Sequence, residues 1–86
     1  MEFTIEKCKK KAAYKAKPIK RCKLNITGIK KKFKVISDAR IAIVVDVDGH
    51  EVIVQEYGEL TFKEGKEEDK KKFKTIAEKI YKAGML

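Results

Sequence analysis

Few residues in this chain could carry catalytic chemistry. His50 is its one histidine and Ser37 its one serine, so a serine nucleophile activated by a histidine base would need both, and no nucleophile motif surrounds either. Cys8 and Cys22 lie 14 positions apart, and His50 is a further 28 along. A closed zinc site takes about four Cys or His ligands at short paired spacings, which three scattered candidates do not supply. The cysteines read as small buried hydrophobes, with a Cys8–Cys22 disulfide as the alternative. Asp46, Asp48 and Glu51 cluster at one turn, where turn formation and solvation account for them. The five glycines are isolated, so no phosphate-cradling loop is present. These patterns predict a protein that is not an enzyme and uses neither metal nor cofactor.

Charge is the residue property left to explain. The 86 residues include 22 Lys or Arg and 13 Asp or Glu, a net charge of +9. Residues 1–36 hold 13 basic and 2 acidic residues (+11), and residues 37–86 hold 9 and 11 (−2). Such asymmetry is the footprint of a surface that binds a polyanion. Twenty Lys against two Arg, ten Ile, one Asn and one Gln give a composition like that of thermophile proteins rich in surface ion pairs. A stabilising network needs both signs, however, and the first 36 residues have almost no acids.

The elements that position these charges follow from periodicity. Phe3 and Ile5 alternate with polar residues as in a short strand. Residues 7–17 read as a basic loop or strand extension. Residues 19–26 and 29–36 read as two strands joined at Thr27-Gly28. Counting from that turn sets Lys23 against Lys32 and Arg21 against Lys34, a face without acids. Opposed like charges destabilise a sheet, which points to a polyanion as the missing partner. Residues 41–47 and 50–56 flank Asp48-Gly49, the strongest short hairpin signal, and Leu60–Phe62 adds a further short strand. A helix from about 67 to 83 carries the stripe Phe73, Ile76, Ala77, Ile80 and Tyr81, with acids expected in its first turn and Gly84 expected to end it in a left-handed conformation.

The sum is one small α+β domain: an antiparallel sheet of four to five strands with one C-terminal helix packed on one face. One helix covers one sheet face, so apolar residues on the other need the N-terminal segment, a second subunit or a ligand. No apolar run approaches the length of a membrane span, and the N-terminus does not read as a signal sequence, which predicts a cytoplasmic protein with no membrane partner.

The order of strands and final helix in the C-terminal two thirds resembles part of the double-stranded RNA-binding domain, whose last helix opens on a basic cluster such as Lys70-Lys71-Lys72. The resemblance is one of fold-level architecture. The chain departs from that domain in two ways: no clear first helix precedes the strands, and the last helix opens with the acids Glu67, Glu68 and Asp69. A basic sheet followed by a dimerising helix is also similar in architecture to single-stranded DNA-binding coactivator proteins, with no shared motif. The functional expectation is charge-led, non-enzymatic nucleic-acid binding. Lys20, Arg21, Lys23, Lys30, Lys32 and Lys34 would contact phosphates, and Tyr14 would be the one stacking side chain. A protein-interaction or assembly subunit, homodimeric or docked to an acidic partner, is the alternative.

Overall fold

The computed structural model describes residues 2–7, 13–20, 23–39, 41–63 and 69–84. Strands β1 (Phe3–Lys7) and β2 (Tyr14–Pro18) lead to helix α1 (Ile26–Lys32), then β3 (Lys34–Asp38), β4 (Ala42–Val47), β5 (His50–Gln55) and β6 (Leu60–Phe62), and last helix α2 (Lys70–Gly84). The strands form one antiparallel sheet in the order β1-β2-β6-β5-β4-β3. The α+β class and the C-terminal helix agree with the sequence pattern. The sheet reaches six strands because Tyr14, Ala16 and Pro18 alternate with Lys15 and Lys17, so part of the basic 7–17 segment is an inner strand rather than a loop. Pro18 sits at its end, opposite Phe3, where a missing N–H disrupts least.

The β4–β5 hairpin forms in the counted register, with Val47 opposite His50 and Val44 opposite Ile53. Asp48 and Gly49 both take positive φ, 52° and 83°, as a two-residue primed turn requires. The Asp46 carboxylate accepts from the Gly49 N–H at 3.1 Å and locks that turn.

Residues 26–32 correct the sequence reading, because they are helix rather than a strand and turn. A primed turn at Thr27-Gly28 would need φ > 0 at both positions, which a β-branched threonine resists, and neither residue has it. Instead the Asn25 side chain caps the helix by accepting from the Gly28 N–H at 3.2 Å. Ile26, Ile29 and Phe33 fall at i, i+3 and i+7 and turn toward the core. Lys30, Lys31 and Lys32 occupy the last turn, where the helix dipole favours cations. Lys23 and Lys32 therefore do not oppose one another as strand partners, and the expected partner of Lys34, Arg21, lies outside the described residues.

Both helices lie on one face of the sheet. Phe73 of α2 is fully buried and meets the rings of Phe62 (4.4 Å between centroids), Tyr14 (5.6 Å) and His50 (5.4 Å). Farther along α2, the Tyr81 ring meets that of Phe3 at a tilt, 5.1 Å between centroids, and its hydroxyl donates to the Gly58 carbonyl at 2.8 Å with the Ala16 carbonyl at 3.3 Å. The helices meet at their glycines. A Cβ on Gly84 would lie 2.8 Å from Ile29 Cδ1, and one on Gly28 would lie 3.1 Å from the Ala83 carbonyl oxygen. Gly84 thus serves close packing; its φ is not in the left-handed region expected of a stop signal. The Asn25 N–H donates to the Gly84 carbonyl at 2.8 Å and ties the start of α1 to the end of α2.

Ala42, Val44, Ile53, Gln55 and Thr61 lie half-buried on the opposite face of the sheet, which no described helix covers. Among the described residues no helix is long and apolar enough to cross a membrane.

Candidate nucleic-acid interface

Charge in this fold sorts by element. The six strands hold four basic residues (Lys7, Lys15, Lys17, Lys34) and four acids (Glu6, Asp38, Asp46, Glu51), which cancel. The two helices hold nine lysines against Glu78 alone, a net +8 of the chain's +9. Lys30 pairs with Asp38 at 2.7 Å and Lys79 with Asp48 at 3.2 Å. The other seven, Lys31, Lys32, Lys70, Lys71, Lys72, Lys74 and Lys82, are exposed and have no ion pair among the described residues.

Lys70, Lys71 and Lys72 open α2, and no acid lies in its first turn. Cations there oppose the helix dipole, so helix stability does not account for them. The acids expected in that turn are Glu67 and Glu68, which lie outside the described residues, and Asp69, which immediately precedes the helix. Glu78 is four positions from both Lys74 and Lys82, yet forms no ion pair with either.

The uncovered sheet face is the electrostatic opposite. Lys15 pairs with Glu59 (3.1 Å), Lys17 with Glu6 (3.7 Å) and Lys63 with Glu51 (3.6 Å), while Lys34 stands in register with Asp46. Tyr57 is exposed beside this face, and its phenol is raised above the ordinary tyrosine value by desolvation first and then by the neighbouring Glu59 carboxylate.

The described residues among those expected to bind come from several elements and loops. Lys23 pairs with Glu56 at 3.1 Å, and Lys30 pairs with Asp38. Lys20 is exposed in the bend after β2, Lys34 begins β3, and Lys32 lies on α1. Arg21, Cys8 and Cys22 lie outside the described residues. Tyr14 is 4% exposed and packed on Phe73, so it cannot stack on a base without opening the core. In the sequence the off-stripe α2 lysines Lys70, Lys71, Lys72 and Lys74 read as a solvated helix face with intrahelical acid partners. Glu67, Glu68, Asp69 and Glu78 stand three or four positions from every α2 lysine except Lys79.

Ser37 and His50 are separated by the sheet. Ser37 is in register with Val44 on the uncovered face, and His50 lies against Phe73 on the helix side. The acids of the β4–β5 turn are engaged as well: Asp46 in the turn, Asp48 with Lys79 and Glu51 with Lys63. Among the described residues no group of three Asp, Glu, His or Cys is placed to hold a metal ion.

These features define a small α+β protein with a six-stranded antiparallel sheet and a lysine-covered helical layer. No protein-family model, curated protein or solved structure matches the chain.

Proposed function

We propose that this protein binds nucleic acid without catalysis, in the cytoplasm, through the lysines exposed on α1 and α2. The observation that carries the reading is the +8 charge of the helices on one side of a charge-balanced sheet. Lysine ammonium groups bind phosphates as point charges, which supplies affinity without base reading. The described aromatics of the helix side, Phe3, Tyr14, Phe33, Phe62, Phe73 and Tyr81, are buried or half-buried. No described ring there is free to stack on an unpaired base, so the target is the regular phosphate array of a duplex rather than single-stranded bases.

Binding should depend steeply on salt. If four or five of the seven lysines meet phosphates, each neutralised phosphate contributes about 0.9 to the slope of log K against log salt, and affinity falls about 10²- to 10³-fold between ~50 and ~200 mM salt. Fluorescence anisotropy with mixed-sequence duplexes, single strands and anionic vesicles measures this. The reading holds if duplexes bind more tightly than single strands and vesicles and show that slope. It fails if no duplex binds at ~50 mM salt, or if vesicles are preferred.

A further inference from the structure

The uncovered face of the sheet is charge-balanced and apolar at its centre. Among the described strand and strand-flanking residues its bases are Lys15, Lys17, Lys34 and Lys63, and its acids are Glu6, Asp46, Glu51 and Glu59, four against four. Between these charges lie Val44 and Ile53, in register with one another, and Ala42 beside them. A chain of +9 repels its own copies, and most strongly where its lysine-covered helices would meet. The sheet face alone lets two copies approach without opposing like charges.

The face is also large enough for weak association. Six strands spaced about 4.8 Å apart and averaging five residues at about 3.3 Å each present roughly 475 Å² per copy, so two stacked faces cover about 950 Å². That is just under the ~1,000 Å² of a specific protein interface and corresponds to a weak dimer. An acidic protein would be drawn to the helices instead, since the sheet face offers it no net attraction.

We propose that two copies of this chain pack sheet face on sheet face, with Val44 and Ile53 at the centre and the ion pairs toward the rim. The two lysine layers then point away from each other on opposite sides of a four-layer α-β-β-α particle. This arrangement rests on the nucleic-acid reading only in its consequence, which is that one dimer joins two duplexes.

Sedimentation equilibrium without nucleic acid tests the dimer. The mass should rise from that of the 9.9 kDa chain toward twice that value as concentration increases from about 1 µM to about 1 mM. Val44→Glu should hold the protein at the monomer mass with an unchanged far-ultraviolet circular dichroism spectrum. Thr61→Lys, on the same face, gives the same readout should Val44→Glu fail to fold. A wild-type chain that stays monomeric at ~1 mM, or a folded variant of either kind that dimerises as wild type does, overturns the proposal. The mass is read without duplex and duplex affinity is read separately, so failure of the dimer and failure of nucleic-acid binding are distinguishable.

Discussion

Replacing Lys70, Lys71 and Lys72 together by Gln should weaken duplex binding about 10²-fold at ~0.1 M salt and make the salt slope shallower by about 2 to 3. Replacing Lys15, Lys17 and Lys63 together should change affinity less than about threefold, because these lysines already neutralise Glu59, Glu6 and Glu51. Both triple variants remove three positive charges from a chain of +9. Long-range attraction therefore falls equally in the two, and any difference between them reports position. Parallel salt titrations by anisotropy measure it. Equal losses would assign binding to net charge alone. The fold should tolerate both triples, since all six side chains are outside the core and exposed ion pairs contribute little.

The second large effect concerns stability. Phe73→Ala should cost about 3 to 5 kcal/mol, the range for removing a large buried ring that leaves a cavity. Phe73 is fully buried where α2 meets β2, β5 and β6, and its ring touches those of Tyr14, His50 and Phe62. A domain of this length has roughly 4 to 13 kcal/mol of total stability, so the variant should lose a large fraction of it. Urea unfolding followed by circular dichroism would show a lower midpoint at an unchanged slope. An unfolding free energy within about 0.5 kcal/mol of wild type would mean that α2 does not anchor the sheet as described. Because this contact holds Lys70 to Lys74 in place, duplex affinity should fall along with the folded population.

Two elements were legible because one periodicity dominated each. Around Asp48-Gly49 the 41–56 segment puts Ile43, Val45, Val47, Val52 and Val54 on one buried face, and the α2 stripe of Phe73, Ile76, Ala77, Ile80 and Tyr81 is all buried. The 19–36 segment was ambiguous: Thr27-Gly28 resembles a hairpin loop, while Asn25 and the spacing of Ile26, Ile29 and Phe33 encode a capped helix. The tertiary contact that Gly28 makes with the end of α2 favours the helix, and such contacts are invisible in a linear reading. Strand β2 was hidden because Ala16 is a weak hydrophobic signal, and its burial depends on neighbours from both ends of the chain.

The charge pattern changed most between sequence and structure. The contrast of +11 with −2 along the chain suggested a basic face built from the first 36 residues. In space, Glu59, Glu56 and Asp38 from the second half come back to pair with Lys15, Lys23 and Lys30 of the first. Much of the apparent asymmetry is thereby neutralised. What remains is the lysine excess of α1 and α2, one helix from each half, brought together on the same side of the sheet by the meeting of Gly28 and Gly84.

Backbone amide chemical-shift mapping by NMR, with a short mixed-sequence duplex titrated at low salt, tests the location of binding most directly. The account predicts the largest shifts in α1 and in the first turns of α2, around Lys31, Lys32 and Lys70 to Lys74, with Lys15, Lys17, Thr61 and Ile53 little moved. Largest shifts on the uncovered sheet face, with the helices unmoved, would contradict it.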